Sequence, residues 1–245
     1  MIAAVLFDLD GTLIQTEELK ARSYAEAARE LDPAVDGEGV VAAFSHLAGQ
    51  SREKVARTLV EQFRLPGSPD ELVRLRLERY DAMLADSALL RRQALPEAIA
   101  LLQRVRREFY RTALTTMSDP AHAGQILAAL DLSDAFEVVI TPADVAHGKP
   151  APDMYVAVTG RLGLPPGDCI ALEDSVAGIT AARAAGVPCI AVPTWLTRDA
   201  VRQARVVGPR WIVEDPEQLA SVFEERVAAL RESSTNRKDA CWRSG

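Results

Sequence analysis

The sequence lacks an apolar run long enough to cross a bilayer, and its start lacks the basic stretch and small-residue cleavage site of a signal peptide. Positive charge is also in deficit, because 28 lysines and arginines stand against 35 aspartates and glutamates, which gives a net charge of -7. A nucleic-acid-binding surface is usually basic, so this balance argues against such a partner. We therefore expect a cytoplasmic protein that binds neither a membrane nor a nucleic acid.

Cysteine is scarce, with three in 245 residues. Cys169 and Cys189 lie inside apolar, strand-like runs, and Cys241 lies near the C-terminus. An odd number of cysteines without metal-ligand spacing favours reduced thiols. The remaining composition, 48% hydrophobic and 26% charged, is that of an ordinary globular protein. The length allows one large domain or a core with a smaller module, and a monomer is the default expectation.

The most informative segment follows the first apolar run, Val5-Leu6-Phe7, and contains Asp8, Asp10 and Gly11. The run is short enough for a buried strand, and Gly11 then breaks the strand pattern. Two carboxylates at the end of a buried strand lose their hydration, so they require a cation, hydrogen bonds or a proton. The alternative is a solvated turn that carries two acids by chance.

The chain changes character twice after this segment. Residues 17–92 carry apolar positions at helical spacing and no evident strand, which predicts a module of four helices. From residue 93 to 231, predicted helices and strands alternate, which implies parallel βαβ units. The fold class is therefore α/β, a parallel-sheet core of residues 1–16 and 93–231 that is interrupted by a helical cap. Residues 232–245 are polar and predict a disordered tail.

Polar side chains follow the predicted strands at their carboxyl ends, where ligand sites form in parallel sheets. They comprise carboxylates, hydroxyls and one ammonium group, namely Asp8, Asp10, Thr115, Thr116, Ser118, Lys149, Glu173 and Asp174. Hard carboxylate oxygens favour magnesium, and a metal with a lysine neutralises a transferring phosphoryl group. This set is suited to phosphoryl transfer.

Four motifs in this order resemble the haloacid dehalogenase superfamily of phosphotransferases. They are DLDGT after an apolar strand, a strand that ends in Thr116, GKPAPD, and ALEDSVAGITAARAAGV. The resemblance extends to about residue 230 and implies a Rossmann-like core with a helical cap inserted after the first strand. It also implies a Mg²⁺ cofactor and a small phosphorylated metabolite as substrate.

The resemblance implies a catalytic role for each matching residue. Asp8 corresponds to the nucleophile and Asp10 to the general acid/base. Thr116 corresponds to the phosphate-binding hydroxyl, with Thr115 as the neighbouring alternative. Lys149 corresponds to the lysine that steadies nucleophile and phosphate. The alternatives remain a surface loop for Lys149 and simple strand preference for Thr116.

The same resemblance implies the metal ligands. Asp174, helped by Glu173, corresponds to the metal-binding acid, and the Asp8 carboxylate and the Asp10 backbone carbonyl would complete the protein ligands. The alternative for the Glu173-Asp174 pair is to cap the following helix, where acids are stabilised by the helix dipole.

Asp10 also separates branches of the superfamily. The 2-haloacid dehalogenases and the phosphonate-cleaving members resemble this chain but lack a carboxylate there, because they do not protonate an alkoxide from that position. Asp10 therefore favours phosphate esters.

The cap segment contains Gly49 and Arg52, which resemble the specificity loop of the sugar-phosphate branch. Gly49 would allow close approach of a ligand, and Arg52 would bind a remote phosphate or acidic group. The alternative is that Ser51 is an N-cap and Arg52 a solvated first-turn residue.

We predict a phosphatase that works through an aspartyl-phosphate intermediate. One alternative is a sugar phosphomutase of the beta-phosphoglucomutase type. Such mutases carry a lysine before the glycine of the loop and a histidine at the cap hinge, where this chain has Ala48 and Lys20. The other alternative is a phosphometabolite-binding protein without turnover.

Overall fold

The computed structural model describes residues 2–47 and 51–242, except for the side chains of 233–242. The chain divides into two compact units, a core of Met1–Ile14 and Ala94–Gly245 and a cap of Gln15–Gln93. The cap predicted over 17–92 begins and ends within two residues of this division. Within the described ranges, no helix is both long and apolar enough to cross a membrane.

A single sheet of five parallel strands forms the centre of the core, in the order β3-β2-β1-β4-β5. The strands are β1 (Ala4–Phe7), β2 (Arg111–Thr115), β3 (Val138–Ile140), β4 (Cys169–Glu173) and β5 (Cys189–Ala191). All four residues of β1 are buried, because a central parallel strand is covered on both faces. The apolar run that precedes Asp8 is the sequence signature of that position.

Six helices flank the sheet or follow it in the described part of the core. They are α6 (Pro96–Arg107), α7 (Pro120–Ala129), α8 (Asp153–Leu162), α9 (Val176–Ala184), α10 (Arg198–Ala204) and α11 (Leu219–Trp242). The alternation of strands and helices confirms the predicted α/β class. Cys169 and Cys189 are buried free thiols, as predicted.

The C-terminal segment differs from the prediction of a disordered tail over 232–245. Helix α11 continues to Trp242 and so includes most of that segment. Polar composition suggested disorder, but the sequence contains neither glycine nor proline between Leu219 and Trp242, so no helix-breaking residue ends the helix earlier.

The cap has five helices within its described residues, one more than predicted. They are α1 (Thr16–Leu31), α2 (Gly37–Ser45), α3 (Arg52–Phe63), α4 (Pro69–Ala85) and α5 (Ser87–Arg92). The additional helix is α5, which begins where Asp86 accepts a hydrogen bond from the backbone N–H of Leu89 at 2.9 Å. The cap has its own apolar centre, in which the rings of Tyr24 and Phe44 are 5.5 Å apart.

Candidate active site

The register of the sheet brings the strand ends together. Phe7, the last residue of β1, pairs with Leu114 of β2 and with Leu172 of β4. The next residue, Asp8, therefore lies level with Thr115 and Glu173. Its backbone N–H continues the ladder by donating to Leu172 O at 3.1 Å.

Lys149 is the cation at this edge, and its ammonium group is buried. The Lys149 Nζ lies 2.6 Å from Asp8 Oδ1, 2.6 Å from Glu173 Oε1 and 2.8 Å from the backbone oxygen of Thr115. Burial alone would lower the pKa of Lys149, but the two carboxylates raise it above its ordinary value. The alternative of a surface loop lysine is therefore wrong.

Asp8 is 5% exposed, and the groups around it shift the pKa of its carboxyl group in opposite directions. The net effect raises the pKa of Asp8 from 3.8 to about 7, because burial and, to a smaller extent, the carboxylates of Glu173 and Asp10 increase it. The ammonium group of Lys149 lowers it. Without a further cation, the negative charge of Asp8 is only partly compensated.

The Asp10 carboxylate points to the residues that follow β2. Its Oδ2 accepts hydrogen bonds from Thr116 Oγ1 at 3.2 Å and from Ser118 Oγ at 2.7 Å. The Thr116 hydroxyl also accepts from the Ser118 backbone N–H at 3.0 Å. The structure thus brings together Asp10 and Thr116, both of which were predicted for the site, and adds Ser118 to them. The sequence placed Ser118 at this edge but gave it no role.

Glu173 is fully buried and fixed by a residue that sequence reasoning missed. Tyr155 Oη donates to Glu173 Oε1 at 2.6 Å from inside α8. Burial, followed by the charge of Glu173, raises the pKa of Tyr155 well above its ordinary value, so this hydroxyl stays a neutral donor. Tyr155 has the spacing of a core residue in an amphipathic helix, and the sequence contains no signal that separates the two roles.

The Glu173 carboxylate also lies directly against helix α9. A Cβ atom on Gly178 would be 1.8 Å from Glu173 Oε2, so only glycine leaves room there. The N-cap of α9 is Ser175, whose hydroxyl accepts from the Gly178 N–H at 3.1 Å. The alternative capping role for Glu173 and Asp174 is therefore wrong, because Ser175 fills it.

Asp174 approaches the turn after β1. Gly11 has a φ of +84°, and a Cβ atom there would lie 2.3 Å from Asp174 Oδ2. The glycine is thus required both by the left-handed backbone and by the carboxylate beside it. Asp174 is 6% exposed.

The three buried carboxylates form a group that fits a metal ion. One ligand atom each from Asp8, Glu173 and Asp174 lies within 4.8 Å of the other two. Their charges face one ammonium group, and Glu173 Oε2 has no hydrogen-bond partner among the described residues. Carboxylate oxygens are the ligands of hard divalent cations such as Mg²⁺. The donor set and the orphaned oxygen both fit an additional cation.

The two cap residues predicted to bind substrate have different outcomes. Gly49 lies outside the described residues. Arg52 is exposed and begins α3, and the Ser51 hydroxyl caps this helix by accepting from Lys54 N at 3.4 Å. The capping part of the alternative is therefore correct, and substrate binding by Arg52 stays a prediction.

Comparison with known proteins agrees with the motifs. The family model of the haloacid dehalogenase-like hydrolases matches residues 2–186. Protein CbbY of Rhodobacter capsulatus is 32% identical over 202 residues, which are 80% of this chain and 88% of that protein. Fructose-1-phosphate phosphatase YqaB of Escherichia coli K12 is 31% identical over 192 residues, 78% of this chain and 96% of YqaB.

A solved structure extends the likeness to the fold. The crystal structure of CbbY from Rhodobacter sphaeroides in complex with phosphate superimposes with a TM-score of 0.68 at 27% identity, and the match covers 89% of this chain and 96% of CbbY. These relatives confirm the predicted superfamily and the predicted enzyme class, a hydrolase of the phosphatase type. The chain belongs to the haloacid dehalogenase-like hydrolases.

Proposed function

We propose that the protein is a magnesium-dependent phosphatase that hydrolyses the monoester of a small metabolite through an aspartyl-phosphate, with sugar phosphates as the first candidates. The observation that carries this proposal is the buried contact of Lys149 with both Asp8 and Glu173, with Asp174 beside them. Two relatives support the substrate class, because YqaB is a fructose-1-phosphate phosphatase and CbbY was crystallised with phosphate.

Asp8 is the nucleophile in this proposal. An Asp8 carboxylate oxygen forms a bond to phosphorus while the bond from phosphorus to the leaving oxygen breaks. Attack requires the ionised carboxylate, which the Lys149 ammonium group at 2.6 Å favours. Lys149 therefore favours the ionised form of the Asp8 carboxylate and also fixes its position.

Asp10 transfers the protons. In the first step it protonates the leaving oxygen, and in the second it accepts a proton from the water that attacks the phosphorus of the aspartyl-phosphate. This second attack releases inorganic phosphate and restores the Asp8 carboxylate. The hydroxyl groups of Thr116 and Ser118, which donate to Asp10 Oδ2, orient the carboxyl group for this exchange.

Asp8, Glu173 and Asp174 would hold the magnesium ion, with the backbone carbonyl of Asp10 as a further ligand. When bound, the ion supplies positive charge that stabilises the phosphoryl oxygens. Tyr155 contributes by fixing one oxygen of Glu173, so that this carboxylate stays directed toward Lys149.

The test is release of inorganic phosphate from a panel of sugar phosphates and other metabolite phosphates, with magnesium and with a chelator. We expect magnesium-dependent release by the wild type and a loss of at least a thousand-fold in Asp8→Asn, because the amide is a poor nucleophile. Asp70→Asn, an exposed aspartate at the start of α4, serves as the matched control and should keep full activity.

Three results would contradict the proposal. Binding of these compounds without release of phosphate would indicate a binding protein, and isomerisation that depends on a sugar bisphosphate would indicate a mutase. Equal activity of Asp8→Asn and wild type would remove Asp8 from the mechanism.

A further inference from the structure

Large apolar side chains are exposed at four places among the described residues, namely Phe109, Met117, Val156 and Trp195. Single exposed apolar residues are common on protein surfaces and require no explanation. Met117 differs from the other three because both of its chain neighbours, Thr116 and Ser118, belong to the active site. It follows β2 and is 49% exposed. An apolar side chain with about half of its surface uncovered therefore lies at the edge of the site.

Hydrogen bonds on both sides of Met117 fix its position relative to Asp10. The Asp10 Oδ2 atom accepts from the Thr116 hydroxyl at 3.2 Å and from the Ser118 hydroxyl at 2.7 Å. The backbone before Met117 is held as well, because Thr116 N donates to Ile140 O at 3.0 Å. A general acid must lie within hydrogen-bond reach of the oxygen that it protonates. The leaving group of an ester bound to Asp10 is therefore near Met117.

The Met117 side chain also reaches the loop that carries Lys149. A Cβ atom on Gly148 would be 2.5 Å from Met117 Cε and 2.7 Å from Met117 Sδ, so the thioether lies against the backbone that precedes Lys149. One part of the side chain is thus packed on the protein, and the rest is open to solvent. Thioethers are flexible and polarisable, and they make favourable contacts with rings. The open part is suited to contact with the carbon skeleton of a ligand.

We propose that Met117 is a specificity-determining residue that contacts the leaving group of the substrate. The substrate class that this contact favours is a phosphate monoester whose leaving group contains a ring with an apolar face, over one with a compact, acyclic leaving group. Sugars and aromatic groups both provide such a face. The assignment rests on the proposed function, because it takes Asp10 as the proton donor to the leaving oxygen.

The direct probe is the methyl resonance of Met117 in the full chain labelled with ¹³C-methyl methionine. The sequence contains four methionines, so the spectrum is simple, and the resonance is assigned by its absence in Met117→Gln. Spectra are recorded with magnesium in the Asp8→Asn background, which separates binding from turnover. We expect a saturable shift of this resonance on addition of fructose 1-phosphate or phenyl phosphate, and a smaller shift with phosphoglycolate.

Kinetics with Asp8 intact provide the second readout. Met117→Gln keeps the length of the side chain and makes it polar, so kcat/KM for the favoured ring ester should fall about five- to ten-fold through KM. The value for phosphoglycolate should stay unchanged. Met117→Leu should restore most of the loss, because leucine is apolar and similar in volume. Val156→Thr is the matched control, since it makes another exposed side chain polar, on α8, and should leave every substrate unaffected.

The two kinds of ring give different results. A larger response to phenyl phosphate indicates an aromatic leaving group, and a larger response to fructose 1-phosphate indicates a sugar.

Three outcomes would overturn the role of Met117. If calorimetry shows that the ring esters bind, but the Met117 methyl resonance does not shift and Met117→Gln keeps the wild-type KM, Met117 does not contact the substrate and the proposed function stands. An equal loss for all esters, phosphoglycolate included, would indicate a structural role instead. If none of the esters binds or is hydrolysed, the proposed function itself fails, and the role of Met117 fails with it.

Discussion

Gly178 occupies a position where glycine is ordinarily unfavourable, inside helix α9. Glycine in a helix interior costs about 0.5–1 kcal/mol relative to alanine. The Glu173 carboxylate explains its presence, because a Cβ atom would lie 1.8 Å from one carboxylate oxygen and 2.3 Å from the other. The space above Gly178 is therefore part of the site, although Gly178 itself carries no chemical group.

Gly178→Ala should lower activity and stability together. The methyl group displaces Glu173 and so breaks its contacts with Lys149 and Tyr155, and overpacking of this kind costs about 1–3 kcal/mol. Gly160→Ala is the matched control, because nothing lies within 4 Å of a Cβ atom there. It should raise the free energy of unfolding by about 0.5–1 kcal/mol. Urea unfolding and phosphate release measure both effects, and a fully active Gly178→Ala would contradict the argument.

At the scale of single residues, the predictable part of the site is the part attached to strand ends. Asp8, Thr116 and Glu173 follow directly from short apolar runs, since the carboxyl ends of parallel strands converge. Tyr155 could not be found this way. It lies on a helix with the spacing of a core residue, and only the packing of distant elements shows that its hydroxyl contacts Glu173.

The connection after β3 is held by one carboxylate, that of Asp144. Its Oδ2 accepts hydrogen bonds from the Thr141 N–H and hydroxyl, both at 2.9 Å, and its Oδ1 accepts from Arg161 Nη2 at 2.7 Å. The Thr141 backbone contact, followed by Arg161, lowers the pKa of Asp144 below its ordinary value of 3.8. The charged form is thus stabilised in the folded state.

Asp144→Asn should destabilise the protein at pH 7 by about 1 kcal/mol, the usual cost of a lost capping interaction. Because the folded-state pKa of Asp144 is depressed, its contribution is fully present above pH 3.8 and is lost as the pH falls through the folded pKa. The difference between wild type and variant should therefore shrink only below about pH 3.8. Urea unfolding between pH 7 and pH 3 measures it, and a difference that is constant over this range would show that charge is not involved.

At the scale of elements, helices could be predicted where a proline at the helix start is followed by apolar residues at helical spacing. Helices α4, α6 and α7 each have proline in the first turn, where its missing N–H is harmless. The short α5 was missed because six residues are too few for a periodic pattern, and α11 was missed because polar residues hide its length.

The charge balance of the whole molecule bears on its response to metal. Three buried carboxylates face one ammonium group within a chain of net charge -7. The carboxylates of such a group repel one another, and a bound cation reduces this repulsion in the folded state. Binding of a cation to the cluster and the stability of the fold are therefore linked.

Magnesium alone should therefore raise the melting temperature. At ten times the dissociation constant, binding to the folded state stabilises it by about 1.4 kcal/mol. Asp174→Asn should lose most of this increase, whereas Asp199→Asn, whose side chain is 87% exposed on α10, should keep it. Thermal unfolding with magnesium and with a chelator measures the difference. Equal increases in the two variants would place the metal elsewhere.

The two ends of the core chain meet where the cap is inserted. Ile14 and Ala94 form an antiparallel bridge, and Leu95 N donates to Leu13 O at 2.9 Å. On the cap side, Gln15 N donates to Gln93 O at 2.7 Å. Backbone hydrogen bonds thus hold together the two core ends between which the cap is inserted. The entropy of closing this loop depends only weakly on the number of residues in the cap. The insert could therefore be lengthened, shortened or exchanged while Asp8 and Asp10, which follow β1, keep their register with the neighbouring strands.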